Sequence, residues 1–228
     1  LLLGGAPASP RLLARAAERG LPIVITYGCT ETCSQVVATP YAQRFNPAAC
    51  GVGKPLEGAE VRVDARGHVL VRGPMRMAGY LGEAPLAADA WFDTGDLGEL
   101  DAAGNLHLHA RRSDLIISGG ENVYPPEVEH ALEACPGVEA AAVLGLADET
   151  WGQIVAAVVV PAPHARRADD SAARAQGLIE QLTGRLAPHK RPRRLGFLAE
   201  LPQTPAGKLD RAALAAQPPP LHTLHPRH

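Results

Sequence analysis

Arg111-Arg-Ser-Asp-Leu-Ile-Ile-Ser-Gly-Gly-Glu-Asn-Val-Tyr-Pro125 separates two unlike patterns in this chain. Upstream of it, residues 61–63 and 68–72 alternate apolar with polar around Asp64-Ala-Arg-Gly67, which predicts a β-hairpin. Residues 97–100 and 106–109 do the same around Asp101-Ala-Ala-Gly-Asn105. Two hairpins in succession read as a small antiparallel barrel or sheet. Downstream of it, Pro125-Pro126 opens a helix through Ala134, with Glu127 and Glu129 near its positive N-terminal end. Residues 138–144, 154–160 and 195–198 are apolar runs that fit buried strands. Between them, residues 171–186 place Ala172, Ala175, Leu178, Ile179 and Leu182 near helical spacing. The boundary therefore falls near Arg112-Ser113-Asp114, with a compact α+β unit after it.

The N-terminal end has a third pattern. Residues 1–6 read as a strand ending in Gly4-Gly5; Ser9 and Pro10 open a helix that runs to Arg19 and stops at Gly20. Residues 22–26 are a short β-branched run leading into Tyr27-Gly-Cys-Thr-Glu31. Strand, helix and strand imply a parallel pair at the edge of an α/β sheet. Residues 161–170 are a polar linker broken by proline. Residues 217–228, rich in proline and histidine, predict a disordered tail. Its histidines read as a solvated tail rather than a metal site.

Composition narrows the function. Of 228 residues, 46% are hydrophobic and 20% charged, enough apolar material for one large or two modest domains. A net charge of −2 gives no basis for a nucleic-acid or anionic-membrane partner. No apolar run approaches the ~20 residues of a spanning helix. Cys29, Cys33, Cys50 and Cys135 lack paired metal-ligand spacing, which reads as reduced thiols in a cytoplasmic protein. The basic run His189-Lys-Arg-Pro-Arg-Arg194 has no interleaved aromatics to stack bases, so it reads as a solvated connection.

Three segments carry residue types suited to charge handling. Lys208 sits in Leu201-Pro-Gln-Thr-Pro-Ala-Gly-Lys208-Leu-Asp-Arg211, a loop bent by two prolines and a glycine. It is either an ordinary loop before a short helix or a positioned ammonium that meets negative charge on a carboxylate or phosphoryl group. Thr30 and Glu31 follow a predicted strand, where a hydroxyl suits phosphate and a carboxylate suits Mg²⁺; both also suit a plain helix start. Asp96, after Thr94-Gly95, reads as a turn carboxylate that accepts either ribose hydroxyls or its own backbone. Gly4-Gly5-Ala6 and Gly119-Gly120 allow close backbone approach, or simply turn the chain. Trp151-Gly152 reads as a packed or half-exposed tryptophan.

Tyr27-Gly-Cys-Thr-Glu31, Trp91-Phe-Asp-Thr-Gly-Asp96, the Arg111–Pro125 stretch and the Lys208 loop, in that order, resemble the signature series of the acyl-adenylate-forming (AMP-binding) enzymes. The wording of Thr30-Glu-Thr-Cys-Ser-Gln35 and of the Arg111 stretch resembles the 2-succinylbenzoate–CoA ligase branch, which serves menaquinone biosynthesis. The resemblance implies the C-terminal part of a large domain (residues 1–112, an α/β sheet edge and small β-barrel), a small mobile α+β lid (residues 113–211) and a tail (residues 212–228). It implies an acid–thiol ligase that takes a small-molecule carboxylate, ATP, Mg²⁺ and coenzyme A. In the resembled family, positions matching Thr30 and Glu31 contact phosphate and magnesium, and that matching Lys208 bridges carboxylate and α-phosphate. Positions matching Gly4, Gly5, Ala6, Tyr27, Gly28, Asp96 and Arg111 hold the nucleotide. Gly119 and Gly120 match a loop beside the thiol channel, and Ser113 matches the hinge, where many relatives carry aspartate or lysine. The family's glycine-, serine- and threonine-rich phosphate loop lies upstream of any segment present, which implies that these residues are the C-terminal portion of a longer enzyme. A different acid, fatty or aryl, with the same machinery, and a non-catalytic nucleotide-binding fragment remain alternatives; a homodimer is left open.

Overall fold

The computed structural model describes residues 1–165 and 171–224. The chain forms two compact units, Leu1–Ser113 and Asp114–His228.

The first unit opens with β1 (Leu2–Leu3), α1 (Pro10–Glu18) and β2 (Val24–Cys29). The Ser9 hydroxyl accepts from the Leu12 N–H, and Pro10 fills the first turn, where a missing N–H costs nothing. β1 and β2 pair in parallel, Leu2 beside Val24 and Leu3 beside Ile25, and α1 packs Leu13 and Ala16 onto Ile23. Two strands not expected from the sequence complete this sheet, β3 (Ser34–Ala38) and β4 (Lys54–Pro55), in the order β1-β2-β3-β4.

β5 (Glu60–Val63), β6 (His68–Arg72), β7 (Phe92–Leu100) and β8 (Leu106–Arg111) form a second sheet, an antiparallel meander. Both hairpins turn as expected. Asp64 accepts from the Arg66 and His68 N–H groups, Asp101 from those of Ala103 and Asn105, and Gly67 and Gly104 take φ of 81°. Val69, Val71 and Leu106 pack with Val36 and Val37 in one core.

In the second unit, β9 (Ile116–Ser118) and β10 (Glu121–Val123) make a hairpin that leads into α2 (Pro125–Glu133). β11 (Val138–Asp148) and β12 (Gly152–Pro161) pair antiparallel over their length. α3 (Ser171–Leu182) follows, then β13 (Arg194–Phe197), parallel to β12. The chain continues through α4 (Arg211–Ala216) to β14 (His222–Thr223), which pairs β13.

This sheet is buried on both faces, which explains why β11 and β12 read as unbroken apolar runs. Ala141, Val143, Val155, Ala157 and Val159 face α2 and α3, against Val128, Leu132, Leu178, Ile179 and Leu182. Ala142, Leu144 and Val158 face the other way and meet Leu214 of α4, with Leu201, Leu209 and Leu221 around it. The expected disordered tail is therefore corrected. Leu214 and Leu221 cover the second face, Leu224 is buried in the core on the α2 and α3 side, and β14 adds a strand. Residues 225–228, with two of the tail's histidines, lie outside the described residues.

Leu214→Ala should lower unfolding stability by about 2–4 kcal/mol, since it empties a fully buried site on that second face. Ending the chain after Arg211 should cost more. Denaturant unfolding checks both; a truncated protein as stable as its parent would mean that the face needs no cover.

Candidate active site

β2 carries Tyr27, Gly28 and Cys29 directly into a single 3₁₀ turn, Thr30–Thr32. Thr32 is buried and stitches the turn: its hydroxyl accepts from the Cys29 N–H at 3.0 Å and donates to the Ser34 carbonyl at 2.8 Å. The chain then bends back through Cys33 (φ 57°) and Ser34 (φ 152°), non-glycine residues with positive φ. Each costs on the order of 1 kcal/mol, and such backbone gathers at functional sites. The turn leaves Thr30 exposed and Glu31 half-buried. Gly28 has a packing reason to be glycine, because a Cβ there would run into the Ser34 carbonyl of β3.

Three residues that lie far apart in sequence meet beside this turn. The Tyr27 hydroxyl donates to Asp96 Oδ2 at 2.6 Å, and Arg111 Nε lies 3.2 Å from Asp96 Oδ1. Arg111 also donates to the Thr94 carbonyl at 2.7 Å. Burial first, then the Asp96 charge, push the Tyr27 phenol far above the ordinary tyrosine range. Asp96 does not sit in a plain turn as expected. It lies within β7, in a stretch made irregular by Gly95 (φ 75°), where the Gly95 N–H turns to Asp93 and the Asp96 N–H to the Thr94 hydroxyl. The strand continues because Asp96 pairs with Arg111 on β8 and Thr94 anchors to the Val69 carbonyl on β6. Arg111 ends β8 with its guanidinium about half exposed.

Gly4, Gly5 and Ala6 follow β1, the parallel neighbour of β2. A Cβ on Gly4 would collide with Thr26, whereas Gly5 (φ 87°) faces open space.

Glu31 has partners that the sequence did not disclose. The Tyr80 hydroxyl donates to Glu31 Oε1 at 3.1 Å, and the Met77 N–H donates to the Glu31 carbonyl at 2.7 Å. Its own N–H first, then the Cys29 thiol, with help from Tyr80 and the Arg111 charge, hold the Glu31 carboxyl below its ordinary range. The sequence offers here only a tyrosine between the glycines of Gly79-Tyr-Leu-Gly82, which does not name its partner. Among the described residues no three His, Cys, Asp or Glu side chains cluster as a metal cage. A single ionised carboxylate beside a threonine hydroxyl fits Mg²⁺ that is shared with a nucleotide's phosphates, the usual way that ion is held.

Lys208, Gly119 and Gly120 belong to the second unit. The Lys208 loop is a closed turn: the Thr204 N–H donates to the Lys208 carbonyl at 2.7 Å, the Lys208 N–H lies 3.2 Å from the Thr204 hydroxyl, and Gly207 takes φ 76°. Leu201 and Leu209 root the loop in the core, and Lys208 itself is exposed. Arg211, at the loop's end, is clamped. It donates to Glu129 at 2.7 and 3.1 Å and to the Val143 carbonyl at 2.9 Å, and lies 3.2 Å from Asp114. Gly119 (φ 61°) and Gly120 (φ 85°) turn the β9–β10 hairpin. The Trp151 ring packs so closely there that a Cβ on Gly119 would lie 2.6 Å from it. The Arg193 guanidinium covers that ring at 4.3 Å. The basic run is thus largely engaged within the fold: Lys190 pairs with Glu127, and Arg191 is buried and donates to the Leu186 carbonyl. Ser113 is the last residue of the first unit.

Comparison with known proteins agrees with this arrangement. The family model of AMP-binding enzyme matches residues 1–81, and that of AMP-binding enzyme C-terminal domain matches residues 127–208. A 2-succinylbenzoate–CoA ligase of Enterococcus faecalis is 41% identical over 225 residues, which span 92% of this chain and 44% of the relative. The structure of Bacillus subtilis o-succinylbenzoate CoA synthetase with its acyl-adenylate intermediate superposes with a TM-score of 0.78 at 37% identity, over 93% of this chain and 45% of that one. The same enzyme with ATP and magnesium ion gives 0.77 at 36% identity, over 94% and 46%. The chain spans a little under half the length of these proteins. Among the described residues no helix is long and apolar enough to cross a membrane.

The Tyr27–Asp96 pair has a pH signature. Above about pH 10 an unfolded tyrosine loses its proton, whereas buried Tyr27 keeps its own. The unfolded state then binds fewer protons, so stability should fall with rising pH, by at most about 1.4 kcal/mol per unit from this group. Tyr27→Phe should flatten that fall. Chemical unfolding of both proteins at a series of alkaline pH values measures it, and identical slopes would contradict a buried, carboxylate-bound phenol.

Proposed function

The chain belongs to the AMP-binding enzyme family, and from that we propose that it is part of an ATP-dependent acyl-CoA ligase, acting on 2-succinylbenzoate in menaquinone biosynthesis. In the first half-reaction a carboxylate oxygen attacks the α-phosphorus of ATP. An acyl C–O–P linkage forms, the bond to the β-phosphate breaks, and pyrophosphate leaves. In the second, the coenzyme A sulfur attacks the acyl carbon, the C–O bond to AMP breaks, and the thiol proton is lost. Neither step needs a covalent bond to the protein, so positioning and charge neutralisation carry the catalysis.

The observation that carries this reading is the convergence of Tyr27, Asp96 and Arg111 beside the Thr30-Glu31 turn. Asp96, held by neutral Tyr27 on one oxygen and by Arg111 on the other, is oriented to accept the ribose hydroxyls. Gly4, Gly5 and Ala6 offer backbone to the adenine ring, with Tyr27 and Gly28 on the adjacent strand. Thr30 donates its hydroxyl to a phosphate oxygen, and Glu31 holds Mg²⁺. That ion neutralises phosphate charge when bound.

Lys208 is the mobile cation. An exposed ammonium on a closed, rooted loop reaches the carboxylate and α-phosphate during adenylation and withdraws afterwards. The second unit acts as the lid, turning about Ser113, and the second sheet of the first unit forms the small barrel. In the thioester step the Gly119-Gly120 turn lines the path of the pantetheine arm, with Trp151 and Arg193 behind it as a shelf for the coenzyme's nucleotide end. Arg193 supplies the charge a phosphate would meet there. The reading places the protein in the cytoplasm.

Lys208→Ala in the full-length protein should cut adenylation, followed by exchange of pyrophosphate into ATP, by about a hundredfold or more. Thioester formation from preformed adenylate should change far less. Equal losses in the two half-reactions would remove Lys208 from this role. A panel of carboxylates under the same assay tests the choice of acid.

A further inference from the structure

Glu31 is gripped twice by one loop, and only one grip has an evident structural reason. Residues 73–90 leave β6 and return to β7 as a compact excursion, closed by the Leu86 N–H on the Ala78 carbonyl at 2.7 Å. Arg76 braces it from inside, donating to the Met77 and Ala87 carbonyls at 2.8 and 2.7 Å. The brace presents the Met77 N–H to the Glu31 backbone carbonyl at 2.7 Å, which docks the loop on the 3₁₀ turn. Three residues on, Tyr80 reaches the same glutamate's side chain at 3.1 Å. The tyrosine is 51% exposed and its neighbour Leu81 fully so, so neither fills a core. What the aromatic ring achieves is reach: it carries a hydroxyl from a fixed loop to one carboxylate oxygen.

We propose that Tyr80 is a positioning residue that fixes the rotamer in which Glu31 meets the magnesium ion of bound nucleotide. The proposal rests on the reading of Glu31 as the metal's carboxylate. A glutamate loses up to about 2 kcal/mol of side-chain freedom when ordered, and a tether within the protein bears part of that loss before the ion arrives. A phenol serves better than a lysine or arginine would. It holds the carboxylate in place without cancelling the charge that attracts the cation. Such outer partners of metal ligands commonly change metal affinity 10- to 100-fold, and the half-exposed setting here points to the low end.

The test uses the full-length protein with a nonhydrolysable ATP analogue and Mn²⁺ in place of Mg²⁺, with free Mn²⁺ read by electron paramagnetic resonance. Tyr80→Phe keeps the half-exposed ring and removes only the hydroxyl, so the fold is retained. Mn²⁺ should bind about tenfold more weakly. Glu31→Gln should weaken it at least as much, and the double variant should be little worse than Glu31→Gln alone, because the hydroxyl acts through the carboxylate. If Glu31→Gln weakens Mn²⁺ binding while Tyr80→Phe binds it like the parent, the positioning role is wrong and the reading of Glu31 stands. Losses that simply add in the double variant also overturn the role. If Glu31→Gln leaves Mn²⁺ binding unchanged, the reading of Glu31 fails and the proposal falls with it.

Discussion

The second unit depends on one ion pair, Arg211 with Glu129. Among the described residues β11 pairs only with β12, so its outer edge carries backbone groups in need of partners. At Val143 the N–H goes to Glu129 and the carbonyl receives Arg211, while the two side chains bind each other. One guanidinium thus seals a sheet edge, joins α2 to α4 around it, and reaches Asp114 at the unit's first residue. Glu129 is 9% exposed. Removing Arg211 would leave the buried Glu129 carboxylate without its cation, at a cost of about 3–5 kcal/mol. Lys208 lies three residues before that clamp. A cation that must be delivered and withdrawn on a loop has to be anchored close by, or its position would spread over many conformers.

The first unit solves a different problem with neutral and charged donors used together. Asp96 receives a phenol on one oxygen and a guanidinium on the other, which fixes its plane. Burial and the Asp96 charge raise the phenol's pKa, so it remains a donor at ordinary pH. Glu31, a short distance along the same strand–turn unit, is held ionised instead, by its own N–H and by neutral hydroxyl and thiol groups. The two carboxylates therefore enter the proposed reaction in defined orientation, and the strain at Cys33 and Ser34 is the cost of placing Thr30 and Glu31 at the turn's tip.

Where local chemistry determines structure, the sequence was readable. Ser9-Pro10 opens α1 as a cap and first turn should, and the two Asp-x-x-Gly loops fold their hairpins. What was not readable depends on partners distant in the chain. Asp96 looked like a turn residue because Thr94-Gly95 is turn chemistry; its pairing with Arg111 on β8 and the Thr94 bond to Val69 on β6 keep it in β7. Ser34–Ala38 carries no strand boundary on its N-terminal side, being fed by a strained bend. Residues 217–224 have the composition of a loose tail, but an uncovered apolar face of β11 and β12 overrides composition. The motif residues Tyr27, Thr30, Glu31, Asp96, Arg111 and Lys208 stood out by type and order. Tyr80 and the Glu129 end of the clamp did not, since a lone tyrosine or glutamate signals nothing until its neighbour is known.

The guanidinium–indole stacks have an optical consequence. The chain holds two tryptophans, one per unit. The Trp91 ring, at the entry to β7, meets the Arg62 and Arg72 guanidiniums at 4.4 and 4.6 Å, and Trp151 lies under Arg193 at the tip of the β9–β10 hairpin. Each indole is thus held against charge by contacts that exist only when its own unit is folded. Replacing one tryptophan at a time turns the emission of the other into a private reporter. The melting of each unit can then be followed in the intact protein without labels.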